Sequence, residues 1–117
     1  MNTLRNSVQL IGNLGMDPDV KTLESGKKVA KFSIATSENF KNGDGEKTSE
    51  TTWHNLVLWD KLAEISGKYL KKGHQVAIEG RIVYRTYEDK KGVTKYITEI
   101  LVNELLMLKS PTKEHEE

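Results

Sequence analysis

The stretch TWHNLVLWDKLAEISGKYLKKG, residues 52–73, decides the fold because two periodicities meet within it. Its first part, residues 52–59, is rich in β-branched and aromatic side chains, which are typical of a strand. The residues that follow carry apolar side chains at helical spacing, namely Leu62, Ile65 and Tyr69. We expect Asp60 to cap the start of this helix and Gly73 to end it. The stretch therefore predicts a strand that leads directly into a helix.

On both sides of this stretch apolar and polar side chains mostly alternate, with a period of two residues, which predicts strands. The predicted strands are residues 7–13, 29–37, 52–59, 75–87 and 96–102, with a short possible strand at 20–23. Residues 38–51, ENFKNGDGEKTSET, have the composition of a mobile loop. The order strand, strand, strand, helix, strand, strand is typical of an all-β OB-fold, a five-stranded, partly open antiparallel barrel with a helix between strands 3 and 4.

Length and composition limit the classes of protein that fit. The 117 residues predict one domain over 1–109 and a disordered tail over 110–117. Hydrophobic residues make up only 36%, so we expect an efficient sheet core or help from association of chains. The formal net charge of +1 means that any positive surface must come from local clustering. Without cysteine, a long apolar run or a signal-peptide core, we expect a cytoplasmic protein without disulfides.

The most informative pattern is the parity of side chains along residues 52–59. Trp53 and Trp59 both occupy odd positions and share a face, about 20 Å apart at ~3.3 Å per residue. The other face holds Leu56 and Leu58, which suit a core. Two rings exposed on one strand would form a surface on which nucleic-acid bases can stack. Parity leaves open the alternative that either ring lies in the core, beneath the loop or in a subunit interface.

Cationic and aromatic residues elsewhere indicate the same chemistry less specifically. Side chains that can pair with phosphates or stack on bases share one face of the strand at 75–87: Arg81, Arg85 and Tyr87. The alternative is that these residues only form an ordinary solvated face of the sheet. Phe40 is either an anchor packed on the body of the domain or a mobile stacking residue. Two lysines can extend a basic track, Lys61 and Lys72.

Signatures of an enzyme are missing from the sequence. The three histidines, at positions 54, 74 and 115, have no metal-ligand spacing. His54 follows the parity of the leucines, which favours a histidine in the core or in an interface over a catalytic base. Gly26 and Lys27 lack the other residues of a phosphate-binding loop. We therefore expect no catalytic residue, no metal and no cofactor.

Several motifs taken together resemble bacterial single-stranded DNA-binding proteins. They are NSVQLIGNLGMDPDV at 6–20, ATSENF at 35–40, TWHNLVLWDKLAE at 52–64, YLKKG at 69–73, IEG at 78–80 and YITE at 96–99. They occur in order over about residues 4–108. The resemblance implies a non-catalytic protein that binds and protects single-stranded DNA in replication, recombination and repair, largely without regard to sequence.

The resemblance also implies roles for particular residues. Aromatic residues that would stack on bases are Phe40, Trp53, Trp59 and Tyr87. Cationic residues that would contact phosphates are Lys21, Lys61, Lys72 and Arg85. The family forms homotetramers, which implies that this chain does so too, with His54 at the interface between subunits.

The C-terminus departs from the family pattern. Residues 109–117, KSPTKEHEE, show neither the Gly/Pro/Gln-rich linker nor the acidic tip that recruits repair and replication proteins. We therefore expect no recruitment through such a tip. Two alternatives to DNA binding stay open: an OB-fold module directed at RNA, and an adaptor that binds another protein or a related subunit.

Overall fold

Six strands and one α-helix form the fold of residues 4–110, the part of the chain that the computed structural model describes. The strands are β1 Val8–Leu14, β2 Asp19–Thr22, β3 Lys28–Lys41, β4 Lys47–Trp59, β5 Gln75–Glu88 and β6 Thr94–Lys109. The helix, α1, spans Asp60–Tyr69, and a 3₁₀ turn at Leu4–Asn6 precedes β1. The predicted tail lies, from residue 111 onward, outside the described residues.

The strands form one sheet that closes on itself. Its order is β1-β5-β6-β4-β3-β2, and a further pairing of β1 with β3 closes the barrel. At this closure Asn13 is opposite Ala35, and the neighbouring Gly12 has no room for a side chain, because a Cβ there would lie 2.5 Å from the carbonyl oxygen of Ala35. β4 and β6 pair in parallel, whereas the other neighbours are antiparallel. These features confirm the predicted OB-fold.

The core fills the interior of this barrel, with α1 packed against β3 and β4. The even positions of β4 supply two of its most buried side chains, Leu56 and Leu58, at 1% and 0% exposure, as their parity predicted. Ala63 of the helix is also fully buried. Gly67 lets β2 approach the helix, since a Cβ there would lie 2.8 Å from the Cγ2 of Val20. The helix stands between the third and fourth of the long strands, or between strands 4 and 5 when the four-residue β2 is counted.

The prediction of a mobile loop over residues 38–51 is wrong. β3 and β4 continue as a hairpin arm, with Phe40 opposite Thr48 and Lys41 opposite Lys47. The turn itself is confined to the residues between the two strands, where the Asn42 side chain accepts backbone N–H groups of Asp44 and Glu46 at 2.9 and 3.1 Å. The polar composition of the segment therefore reflects a solvated two-stranded arm, which cross-strand pairing holds in register.

Both ends of the helix differ from the prediction. Trp59 is the N-cap residue and makes no side-chain capping bond, whereas Asp60 has a φ of 53°, in the left-handed region. The helix ends at Tyr69, before Gly73. Gly73 lies in a turn and has a φ of +92°. Its backbone N–H donates to the carbonyl of Leu14 at 2.8 Å. Tertiary contact with β1 therefore overrides the local signal for a longer helix.

Candidate nucleic-acid interface

The outer face of the β3–β4 ladder carries both tryptophans. Trp53 is opposite Ala35 and Trp59 is opposite Val29, so neither ring has a large cross-strand neighbour. Their exposed fractions are 58% and 39%. Neither ring lies in the core, and both lie on the face of β4 that points away from Leu58. The structure therefore presents two separate indole rings to an approaching ligand.

The backbone of Gly15 packs against the indole ring of Trp53. A Cβ at this position would lie 2.3 Å from Cζ3 and 2.7 Å from Cη2 of the indole. The N–H of Gly15 donates to the carbonyl of Ser33 at 3.0 Å, which fixes the backbone of the β1–β2 connection against β3. Because the six-membered part of the indole rests on bare backbone, glycine at this position determines how close to the barrel the ring lies.

Trp59 stands where β4 turns into α1. Its own backbone is extended, with φ −117° and ψ 150°, and the left-handed conformation of Asp60 then turns the chain sharply into the helix. The abrupt turn leaves the Trp59 side chain at the end of the strand face. Lys61 follows on the exposed surface of the first helical turn.

Lys21 lies in the same cross-strand row as Trp59. In the ladder Lys21 is opposite Val29, and Val29 is in turn opposite Trp59. Directly opposite residues share a face, and strands are about 4.8 Å apart, so the row spans roughly 10 Å. The structure therefore brings an exposed cation to one end of the tryptophan face, and a phosphate contact by Lys21 stays a prediction.

Lys72 lies near the other end of that face. Its backbone N–H donates to the carboxylate of Asp17 at 2.8 Å, and the neighbouring Gly73 binds Leu14. Both acceptors flank Gly15, the residue beneath Trp53. The lysine side chain itself is exposed. Predicted phosphate-binding cations therefore flank both tryptophans.

The β5–β6 hairpin forms the second wall of a groove beside the tryptophan face. A cleft of about 200 Å³ is lined by Lys31, Ser33 and Asn55 from β3 and β4, and by Arg85, Ile97 and Glu99 from the hairpin. Tyr87 lies two residues beyond Arg85 on the same face of β5, opposite Lys95, and is 48% exposed. Arg85 therefore lines this cleft together with Asn55 of β4, and Tyr87 follows Arg85 on the same face of the hairpin.

Arg85 is held in this groove by a buried carboxylate. Its Nε and Nη2 donate to Oε1 and Oε2 of Glu99 at 2.9 and 3.0 Å, and the Glu99 side chain is only 5% exposed. The hydrogen bonds to Glu99 raise the pKa of Arg85 above its ordinary value. A guanidinium has five N–H donors, so three stay available for a phosphate, but the charge of the pair is neutralised. Sequence reasoning missed Glu99, although its position between Ile97 and Leu101 on one strand face was a usable signal.

Phe40 does not share the face of the tryptophans. The β3–β4 register runs without a shift from the Val29–Trp59 pair to the Lys41–Lys47 pair, so even-numbered Phe40 lies on the opposite face of the ladder from Ala35 and Trp53. Its ring is 46% exposed near the end of the arm. A ligand that contacts both Phe40 and Trp53 must therefore pass around the arm.

His54 is half-buried beside the barrel. Its Nε2 lies 3.0 Å from the Oγ1 of Thr36, in the neighbouring strand. A role for His54 in a subunit interface stays a prediction. Within residues 4–110, no group of three or more His, Cys, Asp or Glu side chains could hold a metal ion. The helix of the described region lacks the length and apolar character needed to cross a membrane.

Comparison with known proteins shows to which family the chain belongs. The sequence model of the family described as "Single-strand binding protein family" matches residues 5–108. The chain belongs to the single-strand binding protein family. The resemblance inferred from residues 4–108 is therefore confirmed.

Individual relatives agree with this assignment. The chain is 49% identical over 104 residues to "Single-stranded DNA-binding protein 1" of Chlorobaculum tepidum, covering 88% of this chain and 64% of that protein. It is 47% identical over 103 residues to "Single-stranded DNA-binding protein" of Neisseria meningitidis, covering 88% and 59%. The chain thus spans about three fifths of the length of these relatives. A solved structure, "Plasmodium falciparum SSB complex with ssDNA", matches with a TM-score of 0.82 and 36% identity over 89% of this chain and 95% of that one.

Proposed function

We propose that this protein binds single-stranded DNA by stacking bases on Trp53, Trp59 and Tyr87 and by contacting phosphates with nearby cations. The observation that carries the proposal is the exposure of both tryptophans on one strand face, beside a cleft that Arg85 lines and that Tyr87 follows on the same face of β5. The relatives are named for binding single-stranded DNA, and the matched Plasmodium falciparum protein is in complex with ssDNA, which supports the same ligand here. We include Phe40 as a further stacking residue near the end of the β3–β4 arm, which the DNA would reach by passing around the edge of the arm.

The chemistry of the groove favours contact with any base. Base–aromatic stacking is worth roughly 1–3 kcal/mol per base and tolerates all four bases, because every base has a π-face. The cations proposed to contact phosphates are Lys21, Lys61, Lys72 and Arg85. Duplex DNA is a poor ligand for such a site, because its bases are already stacked with one another. The proposed activity makes and breaks no bond, and it suits protection of exposed strands in replication, recombination and repair.

Self-association completes the proposal. Strand β1 pairs along its length with β5, whereas on its other side, within the described residues, only Asn13 and Leu14 pair with β3. From this edge a cross-strand row runs over the sheet from Ile11 through Ala77 to Leu106; Ile11 is 59% exposed and Leu106 62% exposed, and the row lines a cleft of about 680 Å³. An open strand edge with an apolar border is a surface that a second chain can cover. We propose that copies of this chain assemble here into a homotetramer, with His54 in a subunit contact.

A binding titration with matched variants tests the proposal. Trp53→Ala should weaken binding to poly(dT) by roughly 1–3 kcal/mol. Tyr69→Ala is the control, because Tyr69 is an equally exposed aromatic residue, at 56%, but lies on α1. Equal losses for the two variants would contradict the proposed site. Tighter binding to poly(U) than to matched DNA would indicate the RNA-directed alternative, and no binding at low salt would indicate the adaptor.

The assembly is tested separately by light scattering. The proposal predicts the mass of four chains in the absence of DNA. Ile11→Glu places a charge on the apolar border and should reduce that mass, because a buried unpaired charge is strongly unfavourable. A tetramer unaffected by Ile11→Glu would place the interface elsewhere, and a monomeric wild-type protein would remove the proposal of assembly while leaving the groove untouched.

A further inference from the structure

The outer side of the β5–β6 hairpin carries an exposed tyrosine pair that the groove does not use. Tyr84 is 76% exposed and Tyr96 is 80% exposed, the largest values for aromatic side chains within residues 4–110. Tyr84 is opposite Thr98, and Thr86 is opposite Tyr96. The four side chains therefore share one face of the hairpin, and the two tyrosines are diagonal neighbours, about 7–8 Å apart.

This face points away from the groove. Arg85 and Tyr87 alternate with Tyr84 and Thr86 along β5 and therefore lie on the other side of the hairpin. Nearer the barrel, the face that carries the tyrosine pair becomes the interior, where Ile100 is 6% exposed. The hairpin extends beyond the core, so the two tyrosines add no burial to the fold.

The tip of the hairpin forms a cationic link between its two faces. Lys90 and Lys91 are exposed at the turn, and Lys95 is directly opposite Tyr87. The nearby carboxylate of Asp89 is turned into the loop, where Oδ1 accepts the N–H groups of Lys91 and Val93 at 2.8 and 2.9 Å. Glu88, opposite Thr94, is exposed on the outer face, but the three lysines outnumber it, so the tip offers phosphates a net positive path from the groove side to the outer side.

We propose that the tyrosine pair is a second stacking site for single-stranded DNA, occupied by nucleotides that continue from Tyr87 over the hairpin tip. The inference rests on the proposed function, because it extends the same strand beyond the groove. Each base would stack on one tyrosine ring, while Thr86 and Thr98 leave the space between the rings open. One hairpin would then hold DNA on both of its faces.

The size of the surface favours DNA over a protein partner. A stable protein interface covers about 800 Å² on each partner. An aromatic side chain buries about 150–250 Å², so two tyrosines and two small threonines supply well under that area. A stacked base needs only one ring face. Continuity with the groove and the lysines at the tip add the charge that a nucleic-acid strand requires.

The test compares short and long DNA on matched variants of the full chain. The variant Tyr84→Thr/Tyr96→Thr removes the pair and puts β-branched residues, which suit strands, in its place. Its control, Tyr87→Thr, removes one ring from the groove side of the same hairpin. An oligo(dT) of about eight nucleotides fits the groove alone, whereas poly(dT) can continue over the tip. Affinity and the number of nucleotides covered per subunit are measured by fluorescence titration.

We expect the double variant to bind the short oligomer within about twofold of wild type. On poly(dT), its affinity should fall at least about tenfold, and each subunit should cover about two nucleotides fewer. Tyr87→Thr should weaken binding to both lengths. Photo-crosslinking of wild type with 5-iododeoxyuridine should label Tyr84 or Tyr96 on the long strand only.

Two results would overturn the inference while leaving the proposed function intact. The first is unchanged affinity and unchanged coverage of poly(dT) by the double variant, without crosslinks to either tyrosine. The second is a lower oligomeric mass of the DNA-free double variant in light scattering, which would identify the pair as a contact between subunits. Failure of wild type to bind even the short oligomer would instead overturn the proposed function, and the inference with it.

Discussion

The contact between Gly15 and Trp53 makes the stacking surface testable without touching an aromatic residue. A Cβ at position 15 would lie 2.3 Å from Cζ3 of the indole, whereas carbon atoms pack at about 3.5–4.0 Å. Gly15→Ala must therefore displace the ring by about 1–2 Å, since the backbone is bound to Ser33. The Trp53 side chain is 58% exposed and has room to move outward, so the fold should survive.

The expected loss follows from the value of one stacked base. Complete loss of stacking at Trp53 is worth roughly 1–3 kcal/mol, so a displaced ring should cost about 1 kcal/mol, or roughly fivefold in affinity for oligo(dT). Titration by electrophoretic shift measures the loss, and thermal melting checks that the variant folds. Because Gly→Ala also restricts the unfolded chain, we expect no large fall in melting temperature.

A double-mutant cycle separates this explanation from a general disturbance. In a Trp53→Ala background the alanine at position 15 meets no ring, so Gly15→Ala should have no further effect on DNA binding. The coupling free energy should thus equal the whole effect of Gly15→Ala in the wild-type background. Additive losses would show that Gly15 acts on binding through something other than Trp53, and the reasoning from the contact would fail.

Three further predictions concern individual residues outside the tryptophan contact. Glu99→Gln removes the carboxylate that neutralises Arg85, so it should lower the free energy of unfolding by about 1–3 kcal/mol. It should also free Arg85 for a phosphate and steepen the salt dependence of DNA binding by about one phosphate contact, and an unchanged slope of affinity against salt would contradict this. Asp60→Gly should relieve the left-handed φ of 53° and stabilise the fold by about 1 kcal/mol in urea titration, whereas a lower midpoint would show that the Asp60 carboxylate stabilises the helix start. Leu58→Ala, at a fully buried site, should cost about 2–5 kcal/mol, against less than about 0.5 kcal/mol for Leu23→Ala at an exposed one.

The fold was predictable where side-chain periodicity and tertiary burial agree. In β4 the leucines at even positions lie in the core and both tryptophans share the opposite face, as parity predicted, whereas the exposure of that face is seen only in the structure. A strand that is half-buried alternates because one face meets the core and the other meets water, and that alternation is written in the sequence. The single helix after β4 was predictable for the same reason, since its apolar side chains recur on one face.

Prediction failed where tertiary contacts outweigh local signals. Residues 38–51 are polar because both faces of the arm meet water, and polarity alone does not distinguish a solvated hairpin from a loop. The early helix end arises from the bond between Gly73 and Leu14, which are distant in sequence. The pairing of Arg85 with Glu99 likewise depends on the β5–β6 register. The resemblance named Phe40 as a stacking residue, but only the register shows that it lies on the other face of the ladder.

The central claim is that the exposed tryptophans stack on DNA bases, and the fluorescence of a single-tryptophan protein tests it most directly. Trp59→Phe leaves Trp53 as the one indole in the chain. We predict that adding poly(dT) to this variant quenches its fluorescence strongly and saturably, in step with binding measured by electrophoretic shift. Binding in the shift assay without any change in Trp53 fluorescence would contradict the claim.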